Sequence, residues 1–222
     1  QYAAFVETLD HYVGRLLDAI EESGGSNNTL VIFTSDNGGH PEYTANGPLR
    51  GSKWNLYEGG IRVPMLVRWP GNISANTTTD QVAVGYDLHP TLADAARTAR
   101  PNSDGTTLLP ALTTQEQTSE RSLVWHFPYY HPERGYKNAP TSIGINDFVT
   151  SRTRPHSALR VGRHKVVKFY ENDKIELYDL GSDPSEAHDL SDQNKSLAIR
   201  LRQQLETTLS SMNARMPTLT TN

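Results

Sequence analysis

The sequence predicts an α/β region followed by a small antiparallel sheet that a terminal helix covers. Three observations support this prediction: an amphipathic pattern at the start of the chain, an apolar run at residues 30–34, and several short strand-like runs after residue 120. A helix followed closely by a buried strand is typical of an α/β layer, and closely spaced short strands favour antiparallel pairing. We divide the chain into a region 1–110 and a small α+β region 111–222.

The first predicted element is a helix whose apolar residues recur at three- and four-residue steps, which places them on one side. These residues are Tyr2, Phe5, Val6, Leu9, Val13, Leu16, Leu17 and Ile20. The glycine pair 24–25 is expected to end the helix. The run Leu30–Thr34 is apolar without alternation, as expected for a strand buried on both faces of a parallel sheet. We therefore expect this helix and this strand to pack in one layer.

The middle of the chain is dominated by an irregular loop. Residues 37–60 show no periodicity and contain six glycines and two prolines, and irregular segments of this length in compact domains are often functional. A second strand is predicted over 62–69 and a short helix over 88–96. Residues 98–120 are rich in Thr, Pro, Ser and Gln and are predicted to form a connecting surface segment.

The C-terminal region is predicted to hold four short strands and a final helix. The strands are expected at residues 122–126, 158–161, 165–170 and 175–179. One face of the final helix is marked by apolar residues at helical spacing, namely Leu197, Leu201, Leu205, Leu209 and Met212. This face is expected to cover the sheet.

The composition excludes several functions. The 222 residues carry a net charge of −4, and their basic residues are scattered, which argues against nucleic acid as a partner. The apolar runs are too short for a membrane span. The chain has no cysteine, which excludes disulfides, thiolate metal sites and a cysteine nucleophile within it.

Asp36 and Asn37 follow the predicted buried strand, at the end where ligands collect in doubly wound sheets. A carboxylate and a side-chain amide carbonyl are both typical ligands of a hard cation such as Ca²⁺. The alternative is an ordinary turn over residues 36–39, because Asp, Asn and Gly tolerate left-handed backbone angles. Both interpretations stay open on these residues alone.

A longer string carries a specific resemblance. The residues from Gly47 to Pro64 read Gly-Pro-Leu-Arg-Gly-Ser-Lys-Trp-Asn-Leu-Tyr-Glu-Gly-Gly-Ile-Arg-Val-Pro. With Asp-Asn-Gly at 36–38, this string resembles the arylsulfatase-like sulfatase family, in which such a triplet precedes Leu-Arg-Gly-x-Lys and Glu-Gly-Gly-x-Arg-Val-Pro. The resemblance covers nearly the whole chain. It continues through residues 87–92, 108–110, 125–128, 157–160, 176–180 and 183–186.

The resemblance implies a fold and a site. The fold would be part of an alkaline phosphatase-like mixed, mostly parallel sheet with helices. Asp36 and Asn37 would bind Ca²⁺, and Lys53 would be the catalytic residue, with its ammonium against the sulfate or the ester oxygen. The family's formylglycine nucleophile comes from a Cys/Ser-x-Pro/Ala-x-Arg motif N-terminal to this region, and we expect none in this chain. The alternative for Lys53 is a solvated loop lysine.

Other residues near the loop are open to two interpretations. His40 either touches the substrate or meets solvent. The aromatic and histidine cluster from Trp125 to His131 would line a sugar-binding pocket, or else Trp125 and Phe127 belong to the core. We interpret Arg50, Glu58 and Arg62 as structural residues that tie down the loop with ion pairs and hydrogen bonds.

The resulting hypothesis is the C-terminal fragment of a sulfuric ester hydrolase, inactive by itself, with the missing N-terminal half of the same protein as its partner. Its substrate would be a sulfated small molecule or carbohydrate, and its compartment periplasmic or extracellular. One alternative is a phosphoester or phosphonate hydrolase of the same superfamily. Another is a nonenzymatic scaffold or binding protein.

Overall fold

A computed structural model describes residues 2–40, 43–100, 102–118, 120–130 and 154–219. The described elements, in chain order, are α1 (Tyr2–Glu22), β1 (Val31–Thr34), α2 (Glu58–Ile61), β2 (Met65–Arg68), α3 (Leu88–Ala95), α4 (Leu109–Thr113), β3 (Ser122–Phe127), β4 (His156–Val161), β5 (His164–Phe169), β6 (Ile175–Asp179) and α5 (Lys195–Ser211). In this part of the chain, no helix combines the length and the apolar character that crossing a bilayer requires.

The chain forms two compact units. The first comprises Gln1–Asp36 and Pro64–Ser119, and the second comprises Asn37–Val63 and Glu120–Asn222. The long irregular loop therefore groups with the C-terminal strands, although it follows β1 in sequence. The division into domains 1–110 and 111–222 stays a prediction about the whole protein.

In the first unit, β1 and β2 pair antiparallel, with Ile32 opposite Val67. No described residue of α1 is buried, and Phe33 and Leu66 of the strand pair are exposed as well. The predicted helix and strands are thus present, but the predicted burial of β1 on both faces is not observed among the described residues. The reason is that β1 has one strand neighbour here and its apolar side chains remain uncovered.

The first unit also corrects the interpretation of residues 98–120. This segment contains α4, and its Leu108 and Ala111 are buried. The backbone N–H of Leu108 donates to Thr91 Oγ1 at 2.8 Å, and the N–H of Thr106 donates to the buried carboxylate of Asp87 at 2.9 Å. The segment is therefore partly core, because its apolar residues and its hydrogen bonds tie it to α3.

In the second unit, β3, β4, β5 and β6 form an antiparallel sheet in sequence order. Side chains alternate between its two faces. Leu159, Val166 and Leu177 project to one face and pack against the buried face of α5. The predicted small sheet and its covering helix are confirmed.

The opposite face of this sheet is covered by the irregular loop and the short helix α2 at its end. Ala158, Val167 and Tyr178 of the sheet pack with Leu56 and Tyr57 of the loop in a second core cluster. The sheet thus lies between α5 and the segment that carries the predicted lysine.

Candidate functional site

The predicted site residues lie along a short stretch of chain. Asp36 is the second residue after β1 and is the last residue of its segment in the first unit, whereas Asn37 begins the second unit. His40 and Lys53 also belong to the second unit. How the oxygen atoms of Asp36 and Asn37 lie relative to Lys53 stays a prediction.

Backbone hydrogen bonds hold Lys53 next to the segment that follows Asn37. The N–H of Lys53 donates to Gly39 O at 2.9 Å, and the N–H of Gly38 donates to Gly60 O, also at 2.9 Å. A Cβ atom at Gly38 would lie 1.8 Å from Gly59 O, a distance that no side chain tolerates. Glycine at position 38 therefore permits a close approach of two backbone segments.

Trp54 connects Lys53 with His40. The ring of His40 lies edge-on to Trp54 at a centroid distance of 4.8 Å, and Lys53 Nζ lies 5.4 Å from the centroid of Trp54. His40 also stacks on Tyr43 at 4.8 Å. The structure therefore brings Lys53 and His40 together around one indole ring, and His40 is packed between aromatic side chains.

The turn around Lys53 adopts an uncommon backbone conformation. Trp54 has a φ of 78°, which lies in the left-handed region that residues other than glycine rarely adopt. Asn55 Oδ1 accepts hydrogen bonds at 3.3 Å from the N–H groups of Ser52 and Tyr57. Such strained conformations persist where surrounding contacts determine them, and they cluster at functional sites.

Asn46 fixes the loop from a second side. Its Oδ1 accepts the N–H of Gly39 at 2.9 Å, and its Nδ2 donates to Gly39 O at 3.2 Å and to Gly51 O at 3.1 Å. This side chain therefore joins the segment after Asn37 to the segment before Lys53.

His156 of β4 anchors the loop to the sheet. The N–H of Leu56 donates to His156 Nε2 at 2.9 Å, and His156 Nδ1 lies 2.5 Å from Arg154 O. Nδ1 therefore carries the proton and Nε2 is the acceptor. Burial lowers the pKa of His156 to about 4, which keeps the ring neutral, as an acceptor at Nε2 must be.

A second anchor is formed by two tyrosines and a buried carboxylate. The hydroxyl groups of Tyr57 and Tyr178 both donate to Glu176 Oε2, the latter at 2.8 Å. Burial is the main cause that raises the pKa of both tyrosines, so they stay protonated donors. The guanidinium of Arg50 donates to Tyr178 OH at 2.7 Å and lies 4.2 Å over the ring of Tyr57.

The third anchor is an ion cluster without access to solvent. Lys165 of β5 is 0% exposed, and its Nζ lies 2.9 Å from Glu58 Oε1 and 2.8 Å from Glu186 Oε1. Glu186 Oε2 accepts the N–H of Glu58 at 2.6 Å. Burial raises the pKa of the Glu186 carboxyl, and the ammonium of Lys165 opposes that shift.

Arg50 and Glu58 make the hydrogen bonds and ion pairs that we expected of residues that tie down the loop. Arg62 pairs with Glu58 at 3.7 Å as well. The sequence analysis missed Lys165, Glu186 and His156. The one signal for Lys165 is its position in β5, two residues from the inward-facing Val167, because side chains two apart share a face of a strand.

Packing in the second unit decides the interpretation of Trp125 and Phe127, whereas His131 of the same predicted cluster lies outside the described residues. Trp125 and Phe127 are partly buried and pack against the cluster of Leu56 and Tyr57, so they belong to the core.

The expectation that the chain contains no nucleophile motif is wrong at the level of the pattern. Residues 196–200 read Ser-Leu-Ala-Ile-Arg and match Cys/Ser-x-Pro/Ala-x-Arg. This match lies in α5, where Ala198 is buried against the sheet face opposite the Lys53 loop. It is therefore an ordinary helix segment.

The donor set near Asp36 and Asn37 bears on the predicted metal site. In the part of the chain that the structure describes, no cluster of three or more His, Asp or Glu side chains is arranged to hold a metal ion. Asp36 and Asn37 offer a carboxylate and an amide carbonyl, both of the type that Ca²⁺ takes, whereas a protein Ca²⁺ site has about six to eight oxygen ligands. These two residues fit the ion by their chemistry but would supply only a minority of its ligands.

Comparison with known proteins gives matches over nearly the whole chain. A family model described as "Sulfatase" matches residues 1–98, and a model described as "N-sulphoglucosamine sulphohydrolase, C-terminal" matches residues 52–215. A sulfatase of Formosa agariphila is 37% identical over 96% of this chain, and human steryl-sulfatase is 32% identical over 86%. The chain spans 40% and 36% of the length of these two relatives.

Solved structures agree with these matches. The structure of BT4656 in complex with its substrate D-glucosamine-2-N,6-O-disulfate matches with a TM-score of 0.72 and 26% sequence identity. The match covers 96% of this chain and 40% of the BT4656 chain. The structure of Ps i-CgsB in complex with k-i-k-neocarrahexaose has a TM-score of 0.75 and 27% identity, with coverages of 96% and 43%. By fold and by sequence, the chain belongs to the sulfatase family.

Proposed function

We propose that this chain forms the C-terminal part of a calcium-dependent sulfuric ester hydrolase. The main support is the Leu-Arg-Gly-x-Lys loop, because its Lys53 is hydrogen-bonded through its backbone to Gly39, two residues after Asn37. A cationic residue whose backbone is held beside the segment that follows Asn37 suits the binding of a sulfate ester, whose oxygens carry negative charge.

Lys53 would bind the sulfate group and stabilise the ester oxygen as it departs. A fixed ammonium acts without reorganisation when charge develops on that oxygen, and this is the usual basis of electrostatic catalysis. The anchored turn limits the motion of the lysine backbone. The ammonium of Lys53 lies against the ring of Trp54, which limits the motion of the side chain. His40, whose ring lies against the same indole, would line the substrate-binding side of the same turn.

Asp36 and Asn37 would hold Ca²⁺ together with ligands from outside this chain. The ion would compensate the charge of the sulfate oxygens, which is the Lewis-acid role of a catalytic metal. We further propose that the formylglycine nucleophile lies in the remaining part of the protein, in the family's Cys/Ser-x-Pro/Ala-x-Arg motif.

The proposed substrate is a sulfated carbohydrate or a sulfated small molecule. BT4656 acts on a disulfated glucosamine, and the human relatives include a steryl-sulfatase and arylsulfatase A. A panel of sulfated sugars, steryl sulfates and aryl sulfates, assayed for sulfate release by the whole protein, separates these classes. We propose a periplasmic or secreted location, which cell fractionation tests.

We propose that the missing N-terminal half covers the apolar surface of the first unit. Phe5 and Leu16 of α1 are 68% and 59% exposed, and Leu66 of β2 is 65% exposed, an arrangement that calls for a partner surface. In the whole protein, Phe5→Asp should lower the free energy of unfolding by about 2 kcal/mol or more. Asp18→Ala, on the opposite side of α1, should be nearly neutral. Equal, small effects would argue against a covered helix.

The isolated 222-residue chain is accordingly expected to bind Ca²⁺ weakly and to hydrolyse no aryl sulfate. Release of phenol by the purified chain, with contamination excluded, would refute this expectation.

The central experiment replaces Lys53 by Ala in the whole protein. Loss of one charge-stabilising group typically lowers kcat by about 10²–10³-fold, and we expect KM to change much less because the charge matters most as the ester bond breaks. Lys195→Ala, an exposed lysine at the start of α5, is the matched control and should leave kcat unchanged. Unchanged kinetics of Lys53→Ala would remove Lys53 from the site.

A further inference from the structure

We propose that Lys165 is a positioning residue for the reaction: through Glu58 and Glu186 it holds α2, and through α2 it holds the loop that carries Lys53. The inference rests on the proposed function of Lys53. It assigns the C-terminal sheet a part in catalysis, although Lys165 lies 112 positions after Lys53 in the sequence.

The ammonium of Lys165 has one stable position. It is fully buried between the carboxylates of Glu58 and Glu186, at 2.9 Å and 2.8 Å. A buried charge that leaves its partners loses several kcal/mol, so this cluster resists displacement. Glu186 adds a second link, because its other oxygen accepts the backbone N–H of Glu58 at 2.6 Å. The first residue of α2 is therefore fixed by its side chain and by its backbone.

Two backbone hydrogen bonds carry this position from α2 to the site. The N–H of Gly59 donates to Arg50 O at 2.6 Å, three residues before Lys53. Gly60 O accepts the N–H of Gly38 at 2.9 Å, one residue after Asn37. A movement of α2 therefore moves both the lysine segment and the segment beside the proposed metal ligands.

No flexible side chain lies at these links that could absorb a movement of α2. A Cβ atom at Gly59 would lie 2.4 Å from Gly51 O, and one at Gly60 would lie 2.1 Å from Asn55 O. The contacts are thus between backbone atoms on both sides, without flexible side chains in between. Because a misplacement of about 1 Å can cost about 10²-fold in rate, the pairing of Lys165 should be visible in kcat.

The matched test uses two lysines of the same strand in the whole protein. Lys165→Met removes the ammonium that faces the loop. Lys168→Met removes an ammonium that is 8% exposed and pairs with Glu206 of α5 on the other face of β5. We expect both variants to lower the Tm. Per folded enzyme, Lys165→Met should lower kcat by about tenfold or more with KM little changed, whereas Lys168→Met should keep kcat within about twofold.

The double variant Lys165→Met/Lys53→Ala separates positioning from a general loss of structure. If Lys165 acts mainly through Lys53, Lys165→Met should lower kcat much less in the Lys53→Ala background than in the wild-type background, because the positioned lysine is already absent. Losses that multiply would overturn the inference while leaving the role of Lys53 intact. An unimpaired Lys53→Ala would overturn the proposed role of Lys53 and this inference with it.

If Lys165→Met does not accumulate as folded protein, Glu186→Gln is the second variant that tests the same ion cluster. The amide oxygen can still accept the N–H of Glu58, but the amide nitrogen takes the place of the oxygen that faced Lys165, so the ammonium keeps one carboxylate partner, Glu58. We expect a reduction of kcat that largely disappears in combination with Lys53→Ala. A reduction of the same size with and without Lys53 contradicts the positioning role.

Discussion

The backbone N–H of Leu56 donates to Nε2 of His156 at 2.9 Å across 100 positions of sequence. The bond requires a neutral imidazole, since a protonated ring has no acceptor at Nε2. The ring also stacks on Phe169 with an interplanar angle of 8°. One histidine of β4 thus determines where the chain passes three residues after Lys53.

The first prediction concerns the pH dependence of stability. Burial lowers the pKa of His156 from 6.5 to about 4, so between these values the unfolded chain binds a proton that the folded chain does not. Stability due to His156 is therefore complete above about pH 6.5 and falls with pH until about pH 4. From about pH 7.5 to about pH 5, His156 alone should cost about 2 kcal/mol, as measured by urea unfolding of the whole protein.

The control is His156→Gln, whose amide oxygen can accept the N–H of Leu56 but does not titrate in this range. Carboxyl groups titrate in both proteins, so the difference between their two pH dependences isolates the histidine. Parallel pH dependences would show that His156 is protonated, or solvated, in the folded state.

A second prediction concerns the stability contributed by Glu58. Its side chain is 3% exposed and pairs with the fully buried Lys165, and removal of one partner of a buried pair costs about 3–5 kcal/mol. Glu58→Ala should show this loss in urea unfolding, and Glu58→Gln a smaller one because its oxygen still accepts from Lys165. Arg62, 54% exposed and 3.7 Å from the same carboxylate, is the control, and Arg62→Ala should cost less than about 1 kcal/mol. Comparable losses for Arg62→Ala and Glu58→Ala would contradict the burial argument.

The contrast between Glu58 and the C-terminal strands shows which features a sequence reveals. The strands β3 to β6 and helix α5 were predicted because apolar spacing is a local property that reports the period of an element. The partner of Glu58 is 107 residues away, and no local pattern of charges selects Lys165 among the scattered lysines. The same limit applies to His156, whose acceptor role depends on the fold of the loop above it.

Some features of the candidate site were likewise predictable from the sequence and others were not. Asp36 and Asn37 were candidates from their position after a predicted strand, but the resemblance of a residue string to a family was needed to prefer a metal site over a turn and to propose Lys53. The proximity of His40 to Lys53 through Trp54 was not predicted, because it depends on a left-handed residue at position 54. For α1 the helix was predicted correctly, but its apolar face lacks a cover among the described residues, since burial depends on the rest of a fold.

A third prediction uses the left-handed conformation of Trp54, which has a φ of 78°. Trp54→Gly and Trp54→Ala remove the same indole ring, but alanine at this φ is strained by about 1–2 kcal/mol relative to glycine. Trp54→Gly should therefore be the more stable variant by about that amount in urea unfolding. A more stable alanine variant would mean that the turn relaxes to another conformation once the ring is gone.

A fourth prediction concerns the close approach at Gly38. The Cβ atom of Gly38→Ala would meet Gly59 O at 1.8 Å, so the backbone beside Asn37 must move away from α2. We expect a loss of about tenfold or more in kcat, measured with an aryl sulfate. Gly47→Ala is the control in the same loop, because nothing lies within 4 Å of its Cβ position. An active Gly38→Ala would show that the loop geometry tolerates displacement.

The last prediction concerns Asp36 as a ligand of Ca²⁺. Asp36→Asn keeps the size of the side chain and removes one negative charge, and the affinity of oxygen-ligated Ca²⁺ sites depends on the number of charged ligands. In the whole protein we expect the Kd for Ca²⁺ to rise by about tenfold or more. A ligand that binds only the folded state raises the Tm, so the Ca²⁺-dependent shift in Tm measures the affinity without requiring activity. Asp80→Asn, an exposed residue of the first unit, should leave that shift unchanged. If Asp36→Asn also left it unchanged, the carboxylate would not be a calcium ligand, and the turn interpretation of residues 36–39 would be preferred.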